Sequence, residues 1–325
     1  MPPRYPDMPP AQTIHSNGVP FSVHVAGTGL PVILLHGFPE LAYSWRHQIA
    51  PLVQAGCQVI VPDLRGYGHT GTHGALHDYR MANLALDVTG ILDALGAARA
   101  VVVGHDFGGA LAWTLARDHA DRVLGIASLN TPYTRHTDTD LLETLRAHKG
   151  PGNYMVFFQQ PGAAEELLGR DVYQTFSGMM RRPALSLQAF RQGPAHWQAL
   201  PATILGQEPA LWGEPFLDAQ ELAVYVDTYR VTGFTGGLNW YRNLRQNWLD
   251  GAGTDDRVRV PALMVSADRD FVLPPETTRG MEQYVPDLAR HTIADCGHWT
   301  QHERADEVSS TLLGWLRQRQ WLAPA

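Results

Sequence analysis

Val103-Gly104-His105-Asp106-Phe107-Gly108-Gly109 is the end of an apolar run that breaks into a glycine-flanked turn and continues into a segment of helical composition, Ala110 to Arg117. Small residues at 104 and 108 let the backbone take a tight, strained turn between strand and helix, which displays the side chain at its apex. That side chain is Asp106. It has two readings: an N-cap that accepts from the first amides of the helix, or an exposed carboxylate in the place of the nucleophile of a strand-turn-helix elbow. The turn alone does not choose between them.

Upstream and downstream, short apolar runs bounded by turn residues recur at Phe21 to Val25, Val32 to Leu35, Val59 to Pro62, Val101 to Val103 and Leu124 to Leu129. All but the first are apolar on both faces, as strands of a buried parallel sheet are. Between them lies helical periodicity. In Tyr79 to Leu95 the side chains of Met81, Leu84, Ala85, Val88, Ile91, Leu92 and Leu95 form one stripe, and Gly96 follows as a C-terminal cap. Alternating strand and helix make an α/β chain. From about Tyr133 to Asp250 buried strands give way to helical stretches interrupted by Gly and Pro, with Trp197, Trp212, Trp240 and Trp248 among them. Strands return at Ala262 to Val265 and His291 to Ala294, each expected to lead into a helix, the last being Val308 to Arg319. The expected organisation is therefore an α/β core of 1–133 and 251–325, split by a helical cap at 134–250, with Gly251 to Asp256 as the return linker and 1–12 as a loose, proline-rich arm.

Composition excludes several functions. The 325 residues carry a net charge of −7 without long runs of like charge, which argues against nucleic acid as a partner. The apolar runs fall far short of the roughly 20 residues that span a bilayer, and the start has no apolar stretch of a secretion signal. Cys57 and Cys296 read as free thiols of a reducing, cytoplasmic compartment.

The order of the remaining parts favours the displayed carboxylate. Asp268 and Asp270 lie in the loop after the returning strand, and His298 lies in Asp295-Cys296-Gly297-His298-Trp299 after the last one. Nucleophile, acid and histidine in that order are the arrangement of an α/β-hydrolase fold, a mostly parallel sheet flanked by helices, here with a helical lid inserted. His36-Gly37-Phe38-Pro39 follows the strand at 32 to 35, where a second oxyanion-hole amide is expected beside that of Phe107. Taken singly, His36 and His298 are as compatible with packed histidines; spacing leaves Asp268 and Asp270 equal. A carboxylate nucleophile needs no base to ionise it, so the histidine is free to act afterwards on water. The expected chemistry is displacement at an electrophilic carbon to give an ester on Asp106. His298-driven hydrolysis would follow, with the Phe38 and Phe107 amides stabilising the oxyanion.

With HGFPE at 36–40, DLRGYGHTG at 63–71, GHDFGG at 104–109, NTPY at 130–133, FFQQPGAAE at 157–165, LNWYRN at 238–243, SADRDFVLP at 266–274 and DCGHWTQ at 295–301, the chain resembles the soluble epoxide hydrolases. The animal members of that family carry an N-terminal phosphatase domain with no counterpart in these residues, so the resemblance is to the bacterial, single-module form. It implies that Asp270, which precedes Phe-Val-Leu, is the acid, and that Tyr154 and Tyr241 donate hydrogen bonds to the epoxide oxygen. Phe107 stands where members often carry Trp. The pocket is expected to be walled by His36, Pro39, Phe157, Phe158 and Trp240 and to take a small lipophilic epoxide and water; no cofactor and no metal is implied, and a homo-oligomer is compatible with the sequence.

Other readings compete. Haloalkane dehalogenases share the aspartate elbow but use a Trp after the nucleophile to hold halide, where this chain has Phe107. Fluoroacetate dehalogenases carry arginines where it has Phe107 and Ala110. Gly66-Tyr67-Gly68-His69-Thr70-Gly71 fits a dinucleotide fingerprint literally, but polar loop rather than helix follows it. A metal site at His69, His73 and His77 would need a helix that Gly71 and Gly74 disrupt. A non-catalytic ligand-binding protein of this fold would be expected to have lost part of the catalytic set.

Overall fold

A computed structural model of the chain describes residues 5–194, 197 and 209–323; residues 1–4 of the expected arm and 195, 196 and 198–208 of the expected helical segment lie outside them. The chain forms β1 (Ala11–Ser16), β2 (Val19–Ala26), β3 (Leu30–Leu35), α1 (Arg46–Gln54), β4 (Cys57–Pro62), α2 (Met81–Ala94), β5 (Ala100–His105), α3 (Phe107–Asp118) and β6 (Val123–Leu129). A helical segment follows: α4 (Leu141–Lys149), α5 (Tyr154–Phe157), α6 (Ala163–Gly169), α7 (Val172–Met179), β7 (Arg181–Pro183), α8 (Leu187–Gln192), β8 (Trp212–Pro215), α9 (Ala219–Thr232), α10 (Thr235–Arg242) and α11 (Leu244–Asp250). The chain then closes with β9 (Ala262–Ala267), β10 (Leu288–Ile293), α12 (Thr300–Glu303) and α13 (Ala305–Gln318).

Eight strands make one sheet in the order β1-β2-β4-β3-β5-β6-β9-β10, parallel from β4 to β10 and antiparallel where β2 meets β1 and β4. Every residue of β5 and β9 is buried, because helices cover both faces of the parallel part. The register pairs Leu35 with Gly104, His105 with Leu129 and Leu129 with Val265. Consequently the chain leaves β3, β5, β6, β9 and β10 along one edge, and that edge carries the residues after each strand: Phe38, Asp106, Asn130, Asp270 and His298. A crevice outside the carboxyl ends of parallel strands is the usual ligand position in such sheets.

The helical segment leaves the sheet after β6 and returns at β9, which pairs directly with β6. Its helices begin where short polar side chains satisfy the first free amides: Asp140 accepts from Leu142, Asn153 from Met155, Asp171 from Gln174 and Ser186 from Ala189, while Asp218 forms a capping box with Glu221. The Tyr229 hydroxyl donates to the Glu40 carbonyl at 3.0 Å and Trp240 Nε1 to the Arg65 carbonyl at 3.0 Å, which fixes α9 and α10 over the strand ends. At the neck, the Tyr133 hydroxyl donates to the Asp256 carbonyl.

Three expectations are corrected. The arm is not loose from residue 5 onward: Tyr5 is buried with its hydroxyl on the Asp63 carboxylate, and Ala11 and Gln12 already pair with β2. β1 escapes a periodicity search because it is an edge strand in which only Ile14 and Ser16 are buried. Second, β9 is followed by two 3-10 turns, Pro275–Thr278 and Met281–Gln283, rather than an α-helix, since Pro274, Pro275 and a left-handed Gly280 break the chain. Third, β7 and β8, too short and exposed to register as strands in the sequence, pair antiparallel within the helical segment. The glycine loop 66–71 closes on itself, with Gly66 donating to the Gly71 carbonyl, and no helix opens from it.

Candidate active site

Asp106 follows β5 at φ 51° and ψ −120°, a left-handed strain that the surrounding packing holds in place. The turn closes so tightly that a Cβ at Gly104 would collide with the Gly108 carbonyl, and one at Gly108 with that of Leu35. The Asp106 side chain caps nothing in α3. Its Oδ1 accepts from the Phe38 amide at 3.0 Å, and its Oδ2 lies 3.7 Å from His298 Nε2. The Phe107 amide opens the first turn of α3, where helix N–H groups have no intrahelical acceptor. The Phe38 amide thus holds the carboxylate, and the Phe107 amide directly follows it in the chain. Thr131 supports the turn by donating its hydroxyl to the Asp106 carbonyl.

His298 Nδ1 lies 3.0 Å from Asp270 Oδ2. Asp270 is fully buried and also accepts from Asn130 Nδ2 at 2.8 Å and from the amides of Val272 and Leu273. Burial alone would raise its pKa, but His298 and these donors hold it below the ordinary carboxylate value. Asp268 points elsewhere, accepting from the Cys296 amide at 3.3 Å. Burial opposes a charge on His298, yet Asp270, its hydrogen bond, Asp106 and Glu40 outweigh it and raise the imidazole to about 9.

Tyr154 begins α5 and Tyr241 lies in the last turn of α10, with ring centroids 5.7 Å apart. Gln159 Nε2 donates to the carbonyls of both Met155 and Tyr241 and so ties the two segments together. Burial first, then the negative charge of Asp106, pushes both phenols well above their usual pKa. They therefore remain donors at any working pH.

These groups share a cavity of about 70 Å³ lined by Phe38, Asp106, Tyr154, Phe158, Met179, Trp212, Tyr241, Val272, His298 and Trp299. A larger apolar cavity of about 340 Å³ lies beyond Tyr154, Trp212 and Val272, which belong to both. Of the expected wall residues, Phe158 lines the inner cavity and four do not. His36 is buried behind the loop, its Nδ1 on the Gly37 carbonyl and its Nε2 accepting from the Leu64 amide. Pro39 is buried as well. Phe157 is half-buried on the far side of Phe158, and Trp240 packs behind Phe107 and Tyr67 with its indole N–H spent on Arg65. The Phe107 ring packs edge-on against Tyr241 at 4.6 Å.

Sequence reading gave no part to Asn130, which joins Asp270 to Thr300, or to Glu40. The Glu40 carboxylate accepts from the Gly37 amide, His105 and Gln301, tying the loop after β3 to the end of β5 and to α12. Both lie in motifs already quoted, NTPY and HGFPE, but nothing local to either shows the long-range partner. Met179, Trp212, Val272 and Trp299 are brought to the cavity by tertiary packing alone.

Residues 31–305 match the model of the alpha/beta hydrolase fold family. The chain is 38% identical to epoxide hydrolase A of Mycobacterium tuberculosis over 95% of its length and 97% of that protein. It is 37% identical to bifunctional epoxide hydrolase 2 of Sus scrofa, covering 89% of this chain but only 52% of the pig protein, so it spans about half the length of that relative. Among solved structures, epoxide hydrolase A from Mycobacterium thermoresistibile superposes with a TM-score of 0.86 at 35% identity, over 98% of this chain and 100% of that one. An epoxide hydrolase from Vigna radiata follows with a TM-score of 0.85 at 29% identity, over 97% and 100%.

Proposed function

The chain belongs to the epoxide hydrolases of the α/β-hydrolase fold, and from that premise we propose that it converts a small lipophilic epoxide and water to a vicinal diol through an ester on Asp106. The observation that carries this reading is the meeting of a carboxylate, a histidine and two phenols in one small, apolar cavity. Asp106 Oδ2 attacks a ring carbon as the carbon–oxygen bond of the epoxide breaks, and the developing alkoxide takes its proton from Tyr154 or Tyr241. Charge appears on that oxygen only as the ring opens, so two donors in a dry site lower this barrier more than they stabilise bound substrate.

In the second step the His298 proton passes to the tyrosinate left by ring opening, which restores the phenol and frees Nε2 to take a proton from water, whose oxygen adds to Cγ of the ester. The amides of Phe38 and Phe107 hold the oxyanion. Collapse expels the diol and restores the Asp106 carboxylate. Asp270 orients the imidazole and balances its charge. The resting charge of Asp106 helps keep His298 protonated; esterification removes that charge and lowers the imidazole's pKa at the moment a base is required.

Residues 134–250 serve in this reading as the cap that brings the tyrosines over Asp106, with 1–133 and 251–325 as the core. Buried, unpaired Cys57 and Cys296 fit a reducing, cytoplasmic setting, and no helix among the described residues is long and apolar enough to cross a membrane. Halide chemistry is the weaker alternative because the indole N–H groups of Trp240 and Trp299 already donate to Arg65 and Met179. The test is to incubate the protein with styrene oxide and, separately, with a haloalkane. Diol from the first without halide from the second supports the reading; halide release without diol overturns it.

A further inference from the structure

The catalytic histidine sits in a loop whose main chain is gripped at three consecutive residues. Glu303 Oε2 accepts from the Gly297 amide at 2.9 Å and its Oε1 from the Trp299 amide at 3.1 Å, so one carboxylate holds the N–H groups of the residues on either side of His298. Between them, the His298 carbonyl accepts from His105 Nε2 at 2.7 Å. Gly297 passes so close that a Cβ there would stand 2.9 Å from Glu303 Oε1 and 2.6 Å from Pro183 Cδ. Glu303 ends the short helix α12, and its own amide donates back to the Trp299 carbonyl at 2.9 Å, which fixes the carboxylate's reach.

Glu303 is buried, and its close partners are backbone amides rather than a basic side chain. The charged and titratable groups around it are Arg182 on β7, Asp270 after β9, and the neighbouring Cys296 thiol, itself pushed up by burial and then by Glu303. Burial raises the Glu303 carboxyl to about 7, against the two amides and Arg182 and with Asp270 adding to the rise. A carboxylate kept in so unfavourable a place, where an apolar side chain would fill the volume, is retained for what it holds.

We infer that Glu303 is a positioning residue for the second half-reaction: by clamping the amides of Gly297 and Trp299 it sets the His298 ring for attack of water on the Asp106 ester, without touching substrate. The inference rests on the proposed ester mechanism. It separates the two steps, because alkylation uses Asp106, Tyr154 and Tyr241 whereas hydrolysis uses His298. Glu303→Gln keeps the shape but offers one acceptor oxygen, and its NH2 group faces an amide N–H.

The experiment is rapid quenching with styrene oxide followed by mass measurement of the Asp106 peptide, giving the alkylation and hydrolysis rates of wild type, E303Q and G297A. The glycine variant displaces the same carboxylate by steric contact and keeps the test open should E303Q not fold. The expected result is an alkylation rate within about twofold of wild type and an ester hydrolysis rate at least about tenfold lower, so that ester accumulates. Equal loss of both rates, or no loss of either, overturns the inference. Wild type giving neither ester nor diol would remove the mechanism beneath it, and that failure is visible before any substitution is made.

Discussion

Replacing Asp106 by Asn should lower the pKa of His298, and the size of the drop can be worked from the geometry. His298 Nε2 stands 3.7 Å from Asp106 Oδ2. Two unit charges at that separation interact by about 4 kcal/mol at an effective dielectric of about 20, or roughly 3 on the pH scale at about 1.36 kcal/mol each. That is a ceiling, because the carboxylate charge is shared by two oxygens and Asp270, nearer at 3.0 Å, contributes more to the rise to about 9. We expect a fall of about 1 to 2, bringing the imidazole close to neutrality. The carboxamide of the Asp106→Asn variant is also a neutral stand-in for the ester, so the same drop measures how far alkylation converts His298 into a base. The assay is NMR titration of isotopically labelled histidine rings in wild type and Asp106→Asn, with the signal identified by its loss in His298→Gln. A His298 pKa that is unchanged or higher in Asp106→Asn would refute the reasoning.

Tyr154→Phe and Tyr241→Phe should each slow alkylation by about 10- to 100-fold, the worth of one hydrogen bond to a developing charge, and leave ester hydrolysis nearly untouched in single-turnover kinetics. Asp270→Asn should suppress ester hydrolysis at least about a hundredfold while Asp268→Asn changes it by less than about tenfold, since only Asp270 meets His298; comparable losses would contradict the assignment. Because the folded pKa of His298 is raised from 6.5 to about 9, its charged form contributes stability that is complete below about 6.5 and disappears as pH rises through about 9. Denaturant unfolding of wild type and His298→Gln should therefore show a stability difference of up to about 3 kcal/mol at mildly acidic pH that shrinks at alkaline pH.

The catalytic order was legible because parallel strands deliver their following loops to a single edge, so Asp106, the 268–270 loop and His298 declare themselves by chain order alone. Spacing did not choose between Asp268 and Asp270, since both follow β9; the sequence pointed to Asp270 only through the Phe-Val-Leu of the family resemblance, and the physical distinction lies in their partners, the Cys296 amide for one and Asn130 and His298 for the other. The pocket wall was the least legible part. His36 and Trp240 look available in sequence, yet each is consumed by hydrogen bonds behind the wall, whereas Met179 and Trp212 reach the cavity through packing of the helical segment. β1 was hidden by the polar outer face of an edge strand, and the absent helix after β9 by the prolines and glycine that confine it to 3-10 turns. Glu40 and Glu303 act by accepting from backbone amides of their own neighbourhoods, Gly37 for one and Gly297 and Trp299 for the other, a role that depends on the fold of the loop and that hydrophobic periodicity does not mark.

The central claim is that an oxygen of Asp106, not of water, joins the substrate. A single turnover with excess protein in heavy-oxygen water, followed by mass analysis of both diol and the Asp106 peptide, tests it most directly. The account predicts an unlabelled diol and a label in the Asp106 carboxylate, introduced when water attacks the ester carbonyl. A labelled diol with an unlabelled Asp106 would mean that water opens the epoxide directly, and would contradict it.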